Sequence, residues 1–164
     1  MAEPACKKCQ QVAKEVVPEH GGILFEDDLW IVVHKGAPIG VEGHLQLVSK
    51  RHFRGPADFN DEEAALVGIM LRHCQAILKE VSGAEQIYTA ALGASFPHFH
   101  CHMVPVYGNV HPVLGIAWDV FLQEKLAADN KLQPDLARCT DIAEKFKAAI
   151  AERNPPKMQF TFNT

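Results

Sequence analysis

Three histidines alternate with apolar residues in Pro97-His98-Phe99-His100-Cys101-His102-Met103-Val104-Pro105. Side chains in an extended strand repeat every two residues, so His98, His100 and His102 point to one face and Phe99, Cys101 and Met103 into a core. In a helix the same imidazoles would spread around the axis to no purpose. At about 3.3 Å per residue, His98 and His102 lie roughly 13 Å apart. All three are then too far apart to grip one metal from a regular strand, although neighbours at about 6.6 Å can do so. The spacing asks for a division of labour, with one imidazole working and the others acting as orienter, proton donor or metal ligand. A neutral ring nitrogen is nucleophilic near neutral pH and suits attack on phosphorus, giving a phosphoramidate labile enough to turn over.

Cys6-Lys7-Lys8-Cys9 is a second cluster, and alone it is open between metal binding, redox chemistry and chance. Five cysteines are an odd count, and Met1-Ala2-Glu3-Pro4 leads straight into the pair without a signal-peptide pattern. The expectation is a reducing, cytoplasmic compartment. No apolar run approaches the ~18 residues of a membrane span. The 164 residues are 48% hydrophobic and 22% charged, the composition of one globular domain rather than a disordered chain. Sixteen Lys+Arg against twenty Asp+Glu leave a net charge of -4, so no basic field exists for a long nucleic acid. Any nucleotide partner should be small. The uneven feature is histidine, with nine copies against two Tyr and two Trp.

The elements that must hold these residues follow from local pattern. Ile23 to Glu26 and Leu29 to Val33 read as a hairpin turning at Asp27-Asp28. Gly36 to Gly40 is a loop. His44 to Val48 is a strand placing His44, Gln46 and Val48 on one face. A helix over 61–81 begins at Asn60, with Glu63 completing a capping box, and stops at Ser82-Gly83. Its core stripe is Leu66, Ile69, Met70, His73, Ile77 and Val81, where His73 reads as structural. Ile87 to Ala91 is a strand, with a turn at Gly93. Short helices are expected within Gln10–Glu19 and Trp118–Ala127, a better one from a Thr140 cap to Arg153, and a terminal strand at Met158–Phe162. Residues from about 111 onward read as an extension packed on the domain.

His98-Phe99-His100-Cys101-His102-Met103-Val104 resembles the histidine-triad (HIT) signature, His-x-His-x-His followed by two apolar residues. Two further blocks stand in the family's order. Ile23-Leu24-Phe25-Glu26-Asp27-Asp28 with Trp30 to His34 is similar to its opening hairpin. His44 to His52 is similar to its His-x-x-x-x-Pro-Lys-x-His block, with Ser49 in place of the proline. The resemblance covers about residues 23 to 107. It implies an α+β, HIT-like fold: an antiparallel sheet of about five strands with a long helix packed on it, plus a C-terminal helical extension. The domain then spans 1–110 with an N-terminal zinc-binding arm, and the extension 111–164.

By the same resemblance, His100 attacks the α-phosphorus of a nucleotide and carries the nucleotidyl group. His102 lies beside the phosphate as a hydrogen-bond donor, and His44 is the fourth active-site histidine. Ser95 falls where the family often places a residue that contacts the phosphate or leaving group. The N-terminal cysteine pair resembles a zinc subgroup, whose ligands carry over as Cys6, Cys9, His52 and His98. That set is closed and tetrahedral, so the zinc would be structural. Substrates implied are a nucleoside phosphoramidate, a dinucleoside polyphosphate or a similar nucleotidyl ester. The partners implied are a small nucleotide and a second copy of the chain, since family members usually dimerise through the long helix and adjoining strand. Cys74, Cys101 and Cys139 read as buried small residues, and His20, His34, His73 and His111 as bystanders.

The sequence departs from the family where the nucleoside is gripped. His34-Lys35-Gly36 stands where an Asp usually holds the ribose, Tyr88-Thr89-Ala90-Ala91 lacks a common Asn, and Ala94 replaces a frequent polar residue. Two rivals follow. One is a zinc hydrolase or hydratase in which strand histidines hold an open-site metal. The other is a nucleotide-binding scaffold with marginal catalysis, which the altered pocket favours and the intact His100 and His102 oppose.

Overall fold

The computed structural model describes residues 6–36, 41–92, 96–107 and 134–155. A short helix α1 (Lys7–Val12) leads into strands β1 (Ile23–Glu26), β2 (Trp30–His34) and β3 (Leu45–Ser49). The long helix α2 (Asp61–Ser82), strands β4 (Gln86–Ala90) and β5 (His100–Val106), and helix α3 (Leu136–Glu152) complete the described elements. The five strands form one antiparallel sheet in the order β1-β2-β3-β5-β4.

Alternation along the strands divides the sheet into two faces. On one face Trp30 and Val32, Leu45 and Leu47, and Cys101 and Met103 pack with Met70, Cys74, Ile77 and Leu78 of α2 and Ile142, Ala143, Phe146 and Ile150 of α3. Fully burying side chains of this size contributes roughly 1.5–3 kcal/mol each. The other face carries a smaller cluster of Ile31, Val33 and Val48, against which Val12 of α1 and Ile23 pack. Register fixes what shares that second face. Gln46 pairs with Val33 on one side and His102 on the other, and Val48 pairs with Ile31 and His100. His100 and His102 therefore stand on the face away from the main core.

Helix α2 keeps its sequence signals. Asn60 Oδ1 accepts from Glu63 N at 2.8 Å, and Glu63 Oε2 accepts from Asn60 N at 2.8 Å. Gly83 closes the helix at φ +68°, a left-handed cap that a side chain would strain. Its stripe differs from the expected one: Met70, Cys74 and Ile77 are joined by Leu78 in the core, while Leu66, Ile69 and His73 are only half-buried. Two helices sit elsewhere than expected. The first spans Lys7–Val12 rather than part of Gln10–Glu19. The last begins at Leu136, because Asp135 accepts from Arg138 N, and Thr140 lies inside it with its hydroxyl donating back to Leu136 O. The expected helix at Trp118–Ala127, the terminal strand at Met158–Phe162 and the turn at Gly93 lie outside the described residues.

Candidate functional site

His98 stands just before β5, which starts at His100, and so escapes the spacing of the regular strand. Its Nε2–H donates to Ser49 O at 2.7 Å, leaving the Nδ1 lone pair free to face Cys6 Sγ and Cys9 Sγ, each 3.5 Å away. His52 Nδ1 lies 3.3 Å from Cys9 Sγ. The ligand atoms of Cys6, Cys9, His52 and His98 all fall within 4.8 Å of one another. Zinc bonds of about 2.3 Å to sulfur and 2.0–2.1 Å to nitrogen give tetrahedral edges of about 3.3–3.8 Å, so this donor set fits zinc. Three chain segments meet here, the one carrying both cysteines, the one carrying His52 and the one carrying His98. Arg51 anchors the segment next to His52, donating to both oxygens of the buried Glu63 at 3.0 and 2.6 Å.

His100, His102 and His44 lie beside this centre. His100 Nδ1–H donates to His98 O at 2.8 Å, and since a carbonyl only accepts, Nε2 is left as the bare nitrogen. The rings of His100 and His102 are 5.0 Å apart. His44 Nε2 meets His102 Nδ1 at 2.8 Å, and His44 Nδ1 has no hydrogen-bond partner among the described residues. Ser95, the remaining expected member, lies outside the described residues.

Burial sets the charge state. It pushes His100 down to about 4 and His102 to about 3, with the Lys8 and Lys35 ammonium groups and neighbouring histidines pushing the same way. His44, fully enclosed, is held well below the ordinary histidine range by burial first and His102 next. All three are neutral imidazoles near neutral pH. Lys8 is itself lowered to about 8, chiefly by burial, then by Lys35 and against the pull of Cys6. Two lysines thus place positive potential over neutral histidines, an arrangement that draws in an anion.

Two members of the site escaped the sequence reading. Lys8 is only 8% exposed, and its Nζ donates to Gln46 Oε1 at 2.6 Å and Gln11 Oε1 at 3.1 Å. Gln46 Nε2 lies 3.4 Å from His102 Nδ1. The alternation His44-x-Gln46 already put Gln46 on the right face; nothing local announced that α1 folds Lys8 onto it. His34, read as a bystander, is buried on the opposite face, with Nδ1–H donating to Lys35 O at 2.7 Å and Nε2 accepting from Gly43 N at 3.2 Å. His20 packs edge-on against it, 4.8 Å between centroids. His73 stays on α2, away from the triad, and His111 lies outside the described residues. A hollow of about 470 Å³ between the end of α1 and β1, lined by Val16, Val17 and Phe25 among others, contains no histidine of the site.

No family model matches the sequence, and no curated protein matches it either. Solved structures do match the fold. A hypothetical histidine triad nucleotide-binding protein from Sulfolobus tokodaii superposes with a TM-score of 0.65 at 15% identity, covering 90% of this chain and 93% of that one. A zinc-bound histidine triad family protein from Mycobacterium smegmatis gives 0.66 at 17% identity, covering 92% and 96%. A HIT family hydrolase from Legionella pneumophila gives 0.52 at 19% identity, covering 65% and 97%. The fold of this chain, a five-stranded antiparallel sheet with helices, is that of histidine-triad proteins.

Proposed function

We propose that the chain is a nucleotide hydrolase or nucleotidyl transferase that attacks the α-phosphorus of a nucleoside phosphoramidate, dinucleoside polyphosphate or similar substrate through a covalent nucleotidyl-His100. One observation carries the reading: His100 Nδ1–H is held by the His98 carbonyl, which leaves a neutral Nε2 beside His102 and His44. Nε2 forms the N–P bond while the bond from phosphorus to the leaving group breaks. The leaving group takes a proton from His102 or the Ser95 hydroxyl. Water, or the hydroxyl of a second acceptor, then attacks phosphorus and returns a proton to the group that protonated the leaving group, the N–P bond breaks, and His100 returns with its lone pair.

Cys6, Cys9, His52 and His98 would hold a structural zinc, whose contribution when bound is to tie the N-terminal arm to the segment preceding β5. With four protein ligands and no open position, it orients His100 without entering the reaction. The solved zinc-bound neighbour supports this reading. The partners are a small nucleotide and a second copy of the chain, a homodimer supported by the place of β4 at a sheet edge next in sequence to α2. The compartment is cytoplasmic, a reading supported by five cysteines that form no disulfide with one another. No helix among the described residues is long and apolar enough to cross a membrane. The domain division remains 1–110 and 111–164, with the active face in the first part.

Lys8 and Lys35 also support a second reading, a nucleotide-binding scaffold with marginal catalysis, since they crowd the face with charge. A panel of adenylyl and guanylyl phosphoramidates, dinucleotides and adenylyl sulfate separates the two. The enzyme reading expects turnover of at least one member, abolished in His100→Asn while nucleotide binding persists. Tight binding with no turnover across the panel favours the scaffold.

A further inference from the structure

The sequence leaves open which nitrogen of His102 bears the proton, and the answer decides whether that ring can donate toward a substrate. We infer that Lys8 and Gln46 are positioning residues that hold His102 as the Nε2–H tautomer. Lys8 has only donors to offer, so the Gln46 atom 2.6 Å from its Nζ must be the amide oxygen. The other end of the same amide, the NH₂ group, is thereby turned to His102 Nδ1 at 3.4 Å. A protonated Nδ1 would oppose donor to donor in a buried site, so Nδ1 accepts and the proton sits on Nε2.

His44 agrees with this direction. Its Nε2, 2.8 Å from His102 Nδ1, then donates, and Gln46 shares the same lone pair as the longer, weaker contact. His44 Nδ1 becomes a bare acceptor, which a protein interior tolerates better than the orphaned N–H the opposite direction would leave there. Two residues thus meet at one nitrogen, Gln46 of β3 and His44 just before that strand, while Lys8 of α1 fixes which way the Gln46 amide faces. The arm carrying Cys6 and Cys9 therefore also delivers the group that orients the proton donor's amide neighbour.

Long-range ¹⁵N–¹H NMR on histidine-labelled full-length protein reads the tautomer directly, whatever the reaction. The wild type should show His102 with a bare Nδ1 and a protonated Nε2. In Gln46→Glu an acceptor replaces the amide N–H, and Nδ1 should take a proton. Lys8→Met releases the amide and should give mixed tautomers, whereas Lys8→Arg, still donor-only, should keep the wild-type pattern. Zinc content and unfolding midpoint, measured on each variant, show that the arm is docked; if Gln46→Glu fails that check, the Lys8→Met and Lys8→Arg pair decides. On the reading of the site as an enzyme, Gln46→Glu should also lower kcat by about 10- to 100-fold with KM within about twofold. A wild-type His102 protonated at Nδ1, or a tautomer unmoved in both Gln46→Glu and Lys8→Met, overturns the inference. A shifted tautomer with no turnover in any form, wild type included, instead upholds it and counts against the enzymatic reading alone.

Discussion

In His98 and His100 a backbone carbonyl occupies one ring nitrogen and leaves the other bare, and the carbonyl's place decides which. The carbonyl of Ser49 takes His98 Nε2–H and leaves Nδ1 facing the two cysteines, while the carbonyl of His98 takes His100 Nδ1–H and leaves Nε2 bare. Two histidines two residues apart thus present opposite ring nitrogens. The division has a consequence for mutants. His100→Asn should retain its zinc, because none of the four clustered donors is changed, while turnover falls below detection. Cys9→Ala should lose the metal and lower the unfolding midpoint, since it breaks the cluster at the sulfur that faces both His52 and His98. Metal analysis by mass spectrometry beside an activity assay reads both. Alternation in the sequence made the triad's common face legible. It could not show that His98 leaves the strand, because that depends on its bond to Ser49 and on Phe99 N donating to Phe53 O, contacts from distant segments.

At the scale of elements, the histidine face is held rigid from behind. Strands β2, β3 and β5 form the middle of the sheet, and α2 and α3 press on their far side. Phe146 of α3 is fully enclosed in that layer, so Phe146→Ala should destabilise the fold by about 3–5 kcal/mol in a denaturant titration. Gly43 is a sharper test of how closely α3 packs on the sheet. It sits at φ +77°, and a Cβ there would lie 3.2 Å from both Ile142 and Pro105. Gly43→Ala should therefore cost about 1–3 kcal/mol from strain and overpacking together. The hairpin, the His44 strand and α2 were legible because each carries its own signal, a period of two or a capping box. The start of α3 was not: two polar residues, Asp135 and Thr140, both suit a cap, and only the backbone path picks the first. Lys8 was illegible for the same reason, as a lysine between two cysteines reads as solvated until the arm docks.

For the whole molecule, the buried histidines tie stability to pH. His34, on the core face, is lowered to about 4, chiefly by burial, against about 6.5 in an unfolded chain. Between those values the unfolded state binds more protons than the native one, so stability rises with pH across the window. It is fully present above about pH 6.5 and declines as pH falls toward 4, by up to about 1.4 kcal/mol per pH unit for each such histidine. Denaturant midpoints at pH 7 and pH 5 should differ accordingly, and His34→Gln should flatten the dependence. The net charge of -4 gives the molecule no general pull on anions, which makes the local pairing of Lys8 and Lys35 over the triad more telling.

The central claim is a covalent bond between His100 Nε2 and an α-phosphorus. Rapid acid-free quenching of the protein with a substrate of the nucleotide panel, followed by peptide mapping by mass spectrometry, tests it most directly. The account predicts one added nucleotidyl mass on the peptide containing His100, absent in His100→Asn. Turnover of a substrate with no adduct on that residue, or with the adduct on another histidine, would contradict it.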